Sequence, residues 1–307
     1  MTQRLAFTHR RVRRLRGLLQ KRSSRWSERA FVVEGAELIR TALQAGAPVE
    51  SVYVSPAGRD DRATQEVCDQ ATATGARVFP LAPGVLERVA DTVTPQPVVA
   101  VLPMLPMLGE PSALQPSSLP PSSLQPSSLP SSSLPPSSLE PVPGSLVVVL
   151  VDVRDPGNAG TVLRAADASG CQAVLFAADS VDPYNPKTVR ASAGSLFHLP
   201  LGVRTDPAGL AAELAAAGYR TLATVVRDGD DYAGLDWSVP TALFLGNESS
   251  GLDPALTREL SGTLAIPMAG RAESLNVGVA CAVVCFEALR QRRAGSSGPR
   301  SISGSPS

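Results

Sequence analysis

Six consecutive apolar residues, Leu146-Val147-Val148-Val149-Leu150-Val151, run directly into the polar segment Asp152-Val153-Arg154-Asp155-Pro156-Gly157-Asn158. An uninterrupted, mostly β-branched run of this length predicts a strand buried on both faces, which is a property of parallel sheets covered by helices. The chain that follows keeps one rhythm. Helical spacing is expected at 161–169, 188–195 and 210–217, and strands at 173–176, 221–225 and 241–245. A short extended piece is expected at 264–267, before a long apolar helix at 275–292. Strands alternating with helices predict a largely parallel α/β sheet, and ligands of such sheets bind beyond the carboxyl ends of the strands.

The same rhythm, in shorter elements, occurs earlier. Residues 31–33, 49–54, 76–80 and 98–102 read as strands, and 34–45 and 62–74 as helices that Gly46 and Gly75 would stop. This predicts four zones. A small α/β domain occupies 1–102, a low-complexity linker 103–143, a larger α/β domain 144–293, and a Gly/Ser/Pro tail 294–307 is expected to be disordered. The linker repeats S-S-L-x-P from Ser112 to Pro141 with one charge, Glu140, and no aromatic residue. Proline and the residue before it both resist helix, so the segment reads as a semi-extended tether.

The formal net charge of the 307 residues is zero, but its distribution is uneven. Ten Lys/Arg and one acid, Glu28, lie in the first 29 residues, a net +9 that the remainder balances. Such asymmetry points to a polyanion-binding end, with Arg10, Arg13 and Arg14 as candidate phosphate contacts. A solvated basic helix accounts for the run equally well. The four cysteines have no metal-binding spacing, and Cys281 and Cys285, four apart, fit one buried helix face. No apolar segment suits a secretory signal or a membrane span, so a cytoplasmic chain without bound metal is expected.

Three segments at predicted strand ends carry the chemistry. In the first, a helix is expected to begin near Gly160, capped by Asn158, with Arg164 one turn in. Arginine among Val162, Leu163, Ala165 and Ala166 needs a partner. In the second, Leu245-Gly246-Asn247-Glu248, Gly246 permits a sharp turn or a ligand close to backbone. In the third, Ile266-Pro267-Met268 leads to Ser274-Leu275-Asn276, where Ser274 is a natural N-cap and the Asn276 amide needs hydrogen-bond partners.

Together these segments resemble the three motifs of the SpoU (TrmH) family of RNA 2′-O-ribose methyltransferases, in the SPOUT superfamily. D-x-x-D-P-x-N-x-G-x-x-x-R spans Asp152 to Arg164, L-G-N-E-x-x-G-L spans Leu245 to Leu252, and I-P-M-x-G-x-x-E-S-L-N-V spans Ile266 to Val277. Phe31 to Ile39 and Gln96 to Val101 resemble the opening and close of the substrate-binding domain ahead of many members. The resemblance implies a trefoil-knotted C-terminal domain, a smaller N-terminal α/β RNA-binding domain, and S-adenosylmethionine as cofactor. It also implies a homodimer through the knotted domain and a structured-RNA substrate, ribosomal RNA ahead of transfer RNA. Carried over, the catalytic group is Asn158, Arg164, Glu248, Ser274 and Asn276. The cofactor residues are Thr224, Leu245, Gly246, Asn247, Ile266, Met268, Leu275 and Asn276. Arg164 and Arg190 would hold the RNA backbone, and a surface charge on its helix accounts for Arg190 equally well. A non-catalytic RNA-binding protein of the same fold is the alternative. Open-sheet nucleotide enzymes are disfavoured, because their glycine-rich signatures do not occur at the predicted loops.

Overall fold

A computed structural model describes residues 4–90, 94–108 and 139–296; most of the proline-serine repeat and the last eleven residues lie outside them. The chain divides into two compact units. One comprises residues 1–138 and 182–200, the other 139–181 and 201–307. The sequence rhythm assigns 182–200 to the C-terminal domain, but this segment packs with the first unit.

The first unit begins with α1 (Arg10–Gln20) and α2 (Arg22–Glu28) and continues through β1 (Ala30–Glu34), α3 (Ala36–Gln44), β2 (Ser51–Val54), α4 (Arg62–Ala73), β3 (Arg77–Pro80), α5 (Val85–Val89) and β4 (Val98–Pro103). Its four strands are ordered β1-β4-β2-β3, with β4 antiparallel to both neighbours and β2 parallel to β3. The basic run is an amphipathic helix. Val12, Leu15, Leu18 and Leu19 recur at helical spacing and are buried against Val32, Tyr53, Leu81, Leu86 and Val101. The arginines between them are what remains for the outer face.

In the second unit β5 (Leu146–Val151) leads through α6 (Pro156–Ala168) to β6 (Ala173–Ala177). The chain then passes through α7 (Pro186–Ala191), in the first unit, and returns as β7 (Leu201–Arg204). There follow α8 (Pro207–Ala216), β8 (Arg220–Thr224), β9 (Asp230–Asp231), β10 (Thr241–Leu245), α9 (Pro254–Glu259), β11 (Gly262–Ala265) and α10 (Val277–Ser296). The sheet order is β7-β6-β5-β10-β8-β11-β9, and every neighbouring pair is parallel. All six residues of β5 are buried, as the apolar run requires. Successive connections leave β5 toward β6 but leave β10 toward β11. The β5–β10 boundary is therefore a topological switch point, where the carboxyl ends open a crevice.

The sequence expectation for α6 needs correcting. The helix starts at Pro156, with Asp155 as N-cap accepting from the Asn158 amide at 2.9 Å. Asn158 lies inside the first turn, and Arg164 is two turns in rather than one. An Asp-Pro pair is a helix-start signal, because proline at N1 forfeits only an N–H that has no helical partner. Cys171, Cys281 and Cys285 are buried together, with sulfur atoms 3.6 and 3.7 Å apart around Cys285. The hydrogen bond to Cys285 and burial push the Cys171 thiol well above its usual range, so it behaves as a small core residue.

Candidate active site

Four adjacent strands of the second unit, β5, β10, β8 and β11, deliver the three motif loops and Thr224 to one end of the sheet. They enclose a cavity of about 560 Å³, within the usual range for sites that hold drug-sized ligands. All eight expected cofactor residues line it, together with Asn158, Glu248 and Ser274. Val226 and Thr257 also line it. Neither belongs to a motif, and no pattern in the sequence marks them.

The β10 loop is built on its own backbone. Asn247 and Gly251 exchange N–H···O bonds of 3.0 and 2.9 Å, and Gly251 has φ +69°, which favours glycine. The Asn247 side chain ties this turn to the β5 loop by donating to the Asp152 carbonyl at 2.9 Å, and its oxygen accepts from Ser249 and Ser250. Asp152 itself has φ +57°, a strained position of the kind found at functional loops. A Cβ on Gly246 would run into the backbone of Gly251 and Leu252, so the close approach is that of the chain to itself. Gly246→Ala is expected to cost about 1–3 kcal/mol through overpacking and to weaken cofactor binding by opening the turn. Calorimetric titration with S-adenosylmethionine and a thermal melt check this; unchanged values in both would remove the constraint.

At the cavity mouth a directional hydrogen-bond chain joins all three motifs. Asn158 Nδ2 donates to Glu248 Oε1 at 2.8 Å, Asn276 Nδ2 donates to Asn158 Oδ1 at 2.8 Å, and Asn276 Oδ1 accepts from the amides of Gly278 and Val279 at 2.9 and 3.3 Å. The direction is forced. A carboxylate only accepts, so Asn158 must turn its NH₂ to Glu248 and its oxygen to Asn276. That leaves the Asn276 oxygen for the first free amides of α10. Asn276, not Ser274, therefore caps α10; Ser274 lines the cavity instead. The effect is to hold the Glu248 carboxylate, backed by two amides and a helix N-terminus, at a fixed point of the mouth.

Arg164 is not brought into this group. It is exposed on α6 and does not line the cavity of its own chain. The candidate RNA contacts divide in the same plain way. Arg10 and Arg13 are exposed on α1. Arg14 is held by both oxygens of Glu50, at 2.6 and 2.9 Å, and that pairing raises its pKa above the ordinary guanidinium range. Arg190 donates to the buried carboxylate of Glu34 at 2.7 Å, whose other oxygen accepts from the Gln96 amide. Arg14 and Arg190 are engaged in holding the first unit together, which Arg10 and Arg13 are not.

The cavity suits S-adenosylmethionine in size, and it combines apolar walls (Leu245, Ile266, Leu275) with polar groups at the mouth. Among the described residues no His, Cys, Asp and Glu cluster could hold a metal ion, and no helix is long and apolar enough to cross a membrane.

Residues 145–286 match the SpoU rRNA methylase family, and residues 9–100 match the MRM3-like substrate-binding domain. The chain is 30% identical over 269 residues to the 23S rRNA (guanosine(2553)-2′-O)-methyltransferase RlmP of Bacillus subtilis, covering 87% of this chain and 92% of that one. It is 39% identical over 162 residues to the 23S rRNA (uridine(2479)-2′-O)-methyltransferase of Streptomyces viridochromogenes, covering 50% of this chain and 56% of that protein. Among solved structures, the AdoMet-bound rRNA methyltransferase of Sinorhizobium meliloti aligns with a TM-score of 0.74 at 29% identity, covering 94% of this chain and 97% of the other. With the three motif loops converging on one cavity and the similarity running through both units, the chain belongs to the SpoU family of S-adenosylmethionine-dependent RNA 2′-O-ribose methyltransferases.

Proposed function

We propose that this protein methylates a ribose 2′-hydroxyl of ribosomal RNA, using the cavity at the ends of β5, β10, β8 and β11. The observation that carries this reading is the Glu248–Asn158–Asn276 chain, which joins all three motifs at the mouth of a cofactor-sized cavity. Bound S-adenosylmethionine would supply an electrophilic methyl group. The protein's part is to hold the hydroxyl in line with it, a contribution that alone removes several kcal/mol of barrier. Leu245, Ile266 and Leu275 would hold the adenosine end, with Thr224, Gly246, Asn247 and Met268 completing the wall. Ser274, Asn276 and Glu248 would position the ribose.

A hydroxyl is a poor nucleophile and sheds its proton as it attacks. Guanidinium stays protonated in proteins, so Arg164 serves here as a charge-stabilising donor and phosphate ligand, not as the base. Because Arg164 lies outside its own chain's cavity, the reading includes a homodimer in which one subunit's arginine completes the other's site. The surface of α10 fits that role: Val279 and Phe286 are 46% and 48% exposed in the first half of the helix, where Val277 to Phe286 is apolar all round, as expected of a face with a second partner. The trefoil knot and a cytoplasmic setting go with the same reading.

The test is methyl transfer. The full chain with labelled S-adenosylmethionine is expected to label RNA from cells lacking the gene. Ribose-methylation mapping should then find the restored site in the ribosomal pool. A site in the transfer RNA pool instead would move the substrate class, and no transfer to either pool would overturn the proposal.

A further inference from the structure

The outer face of α1 carries an arrangement that methyl transfer does not use. Phe7, just before the helix, is half-buried and packs on the core of the first unit. Two guanidiniums lie over its ring, that of Arg88 at 4.1 Å and that of Arg16 at 5.8 Å from the centroid. Beside it, Phe7, Thr8, Val12, Arg13 and Arg16 line an opening of about 210 Å³, below the roughly 300 Å³ at which drug-sized ligand sites begin. On the other flank of the helix Arg11 lies 4.4 Å above Phe79. Among the described residues Arg11, Arg13, Arg16 and Arg88 have no carboxylate partner. Arg14, on the same helix, is paired with both Glu28 and Glu50. The positive charge is thus neutralised where it serves the fold and left free around the aromatic rings.

We propose that this opening, which Arg88 does not line, binds one unpaired nucleobase of the RNA substrate, stacked on Phe7 and the Arg16 guanidinium, with its phosphate on Arg13. The inference rests on the reading of the protein as an RNA methyltransferase and deepens it. Three observations select this occupant. The rim is cationic, which fits a polyanion. The opening, at about 210 Å³ and lined by five residues, is too small for a helix or strand. An aromatic ring fixed in a core and flanked by guanidiniums is the platform on which single-stranded bases stack, and it needs no base-edge hydrogen bonds to do so. Paired bases keep their faces covered, so the site discriminates looped-out from duplex RNA.

Binding of a fluorescein-labelled uridine decamer to the full-length protein, by anisotropy, tests this. Phe7→Leu keeps apolar volume on the core but removes the stacking ring. It is expected to weaken the decamer by at least about fivefold, the lower end of what one lost stacking contact costs. Phe7→Trp is expected to bind at least as tightly as the parent. Arg13→Gln should reduce the salt slope by about one phosphate contact. Cofactor affinity should stay constant in all three, which reports that the fold is intact. The decamer paired with its complement should bind more weakly than the single strand. Equal decamer affinity for Phe7→Leu and the parent overturns the inference, as does polyphosphate competing equally with both, since charge alone would then suffice. If the parent labels no RNA at all, the reading of the reaction fails; if it labels RNA while Phe7→Leu binds normally, only the base site fails.

Discussion

Arg164→Ala is expected to lower turnover at least about 100-fold, the scale of removing one donor that stabilises developing charge, while affinity for S-adenosylmethionine stays near that of the parent. The two halves of this expectation come from different observations. The loss follows from the chemistry: negative charge grows on the ribose oxygen as its proton leaves, and a guanidinium offers fixed donors for it. The unchanged affinity follows from the placement of Arg164, which is exposed on α6 and absent from the cavity lining. Mixing makes the test sharper. In a two-fold dimer with shared sites, Arg164→Ala and Gly246→Ala subunits would together rebuild one good site in each mixed dimer, recovering about a quarter of parental activity on equal mixing. Self-contained sites would recover nothing beyond the two separate preparations. Parental turnover in Arg164→Ala alone would sink the assignment.

What the sequence disclosed about this site depended on distance along the chain. The strands were legible because burial on both faces leaves an unbroken apolar run, as in β5, where all six residues are buried. The loops were legible because three Gly-, Asn- and acid-rich segments, each an ordinary turn or helix start by itself, occur together in the order of the SpoU motifs. The hydrogen-bond chain was not, since Asn158, Glu248 and Asn276 are up to 118 positions apart and nothing local says that they meet. Residue type alone does not pick the caps of α6 and α10. Ser274 and Asn158 are good caps by type, but Asp155 before Pro156 and Asn276 before Val277 are the residues that the helix starts select. The basic run was the most misleading. Composition treats its arginines alike, whereas the fold uses Arg14 and Arg25 for ion pairs and leaves Arg10 and Arg13 at the surface. The strand at 201–204, four residues that include a glycine and an arginine, had too little apolar pattern to be expected at all.

Arg25 shows how large such a hidden structural role is. Its guanidinium meets the Asp182 carboxylate at 2.7 Å, and the two side chains are only 3% and 2% exposed. Arg25 also donates to the Leu18 carbonyl at 2.9 Å, and Asp182 accepts from the Tyr184 amide at 3.0 Å. The Tyr184 ring packs 4.5 Å from that of Phe31. These contacts seat the 182–200 segment within the first unit, against elements more than 150 positions earlier. Asp182→Ala is expected to destabilise the protein by about 3–5 kcal/mol, because it leaves a buried guanidinium without its counter-charge. Asp182→Asn keeps an acceptor for the Tyr184 amide and should cost less. Replacing both partners with apolar residues, as in Arg25→Met with Asp182→Leu, should come near the parent or above it, since desolvation of the pair is then removed along with its attraction. Urea unfolding of the full chain measures all three. A loss under about 1 kcal/mol for Asp182→Ala, ordinary for an exposed ion pair, would mean that water solvates the pair in the folded protein and that other contacts seat the segment. A double variant as unstable as Asp182→Ala would instead place the stabilisation in the charge pair itself, and the arginine of a run that looks uniformly suited to RNA would then be indispensable to the fold.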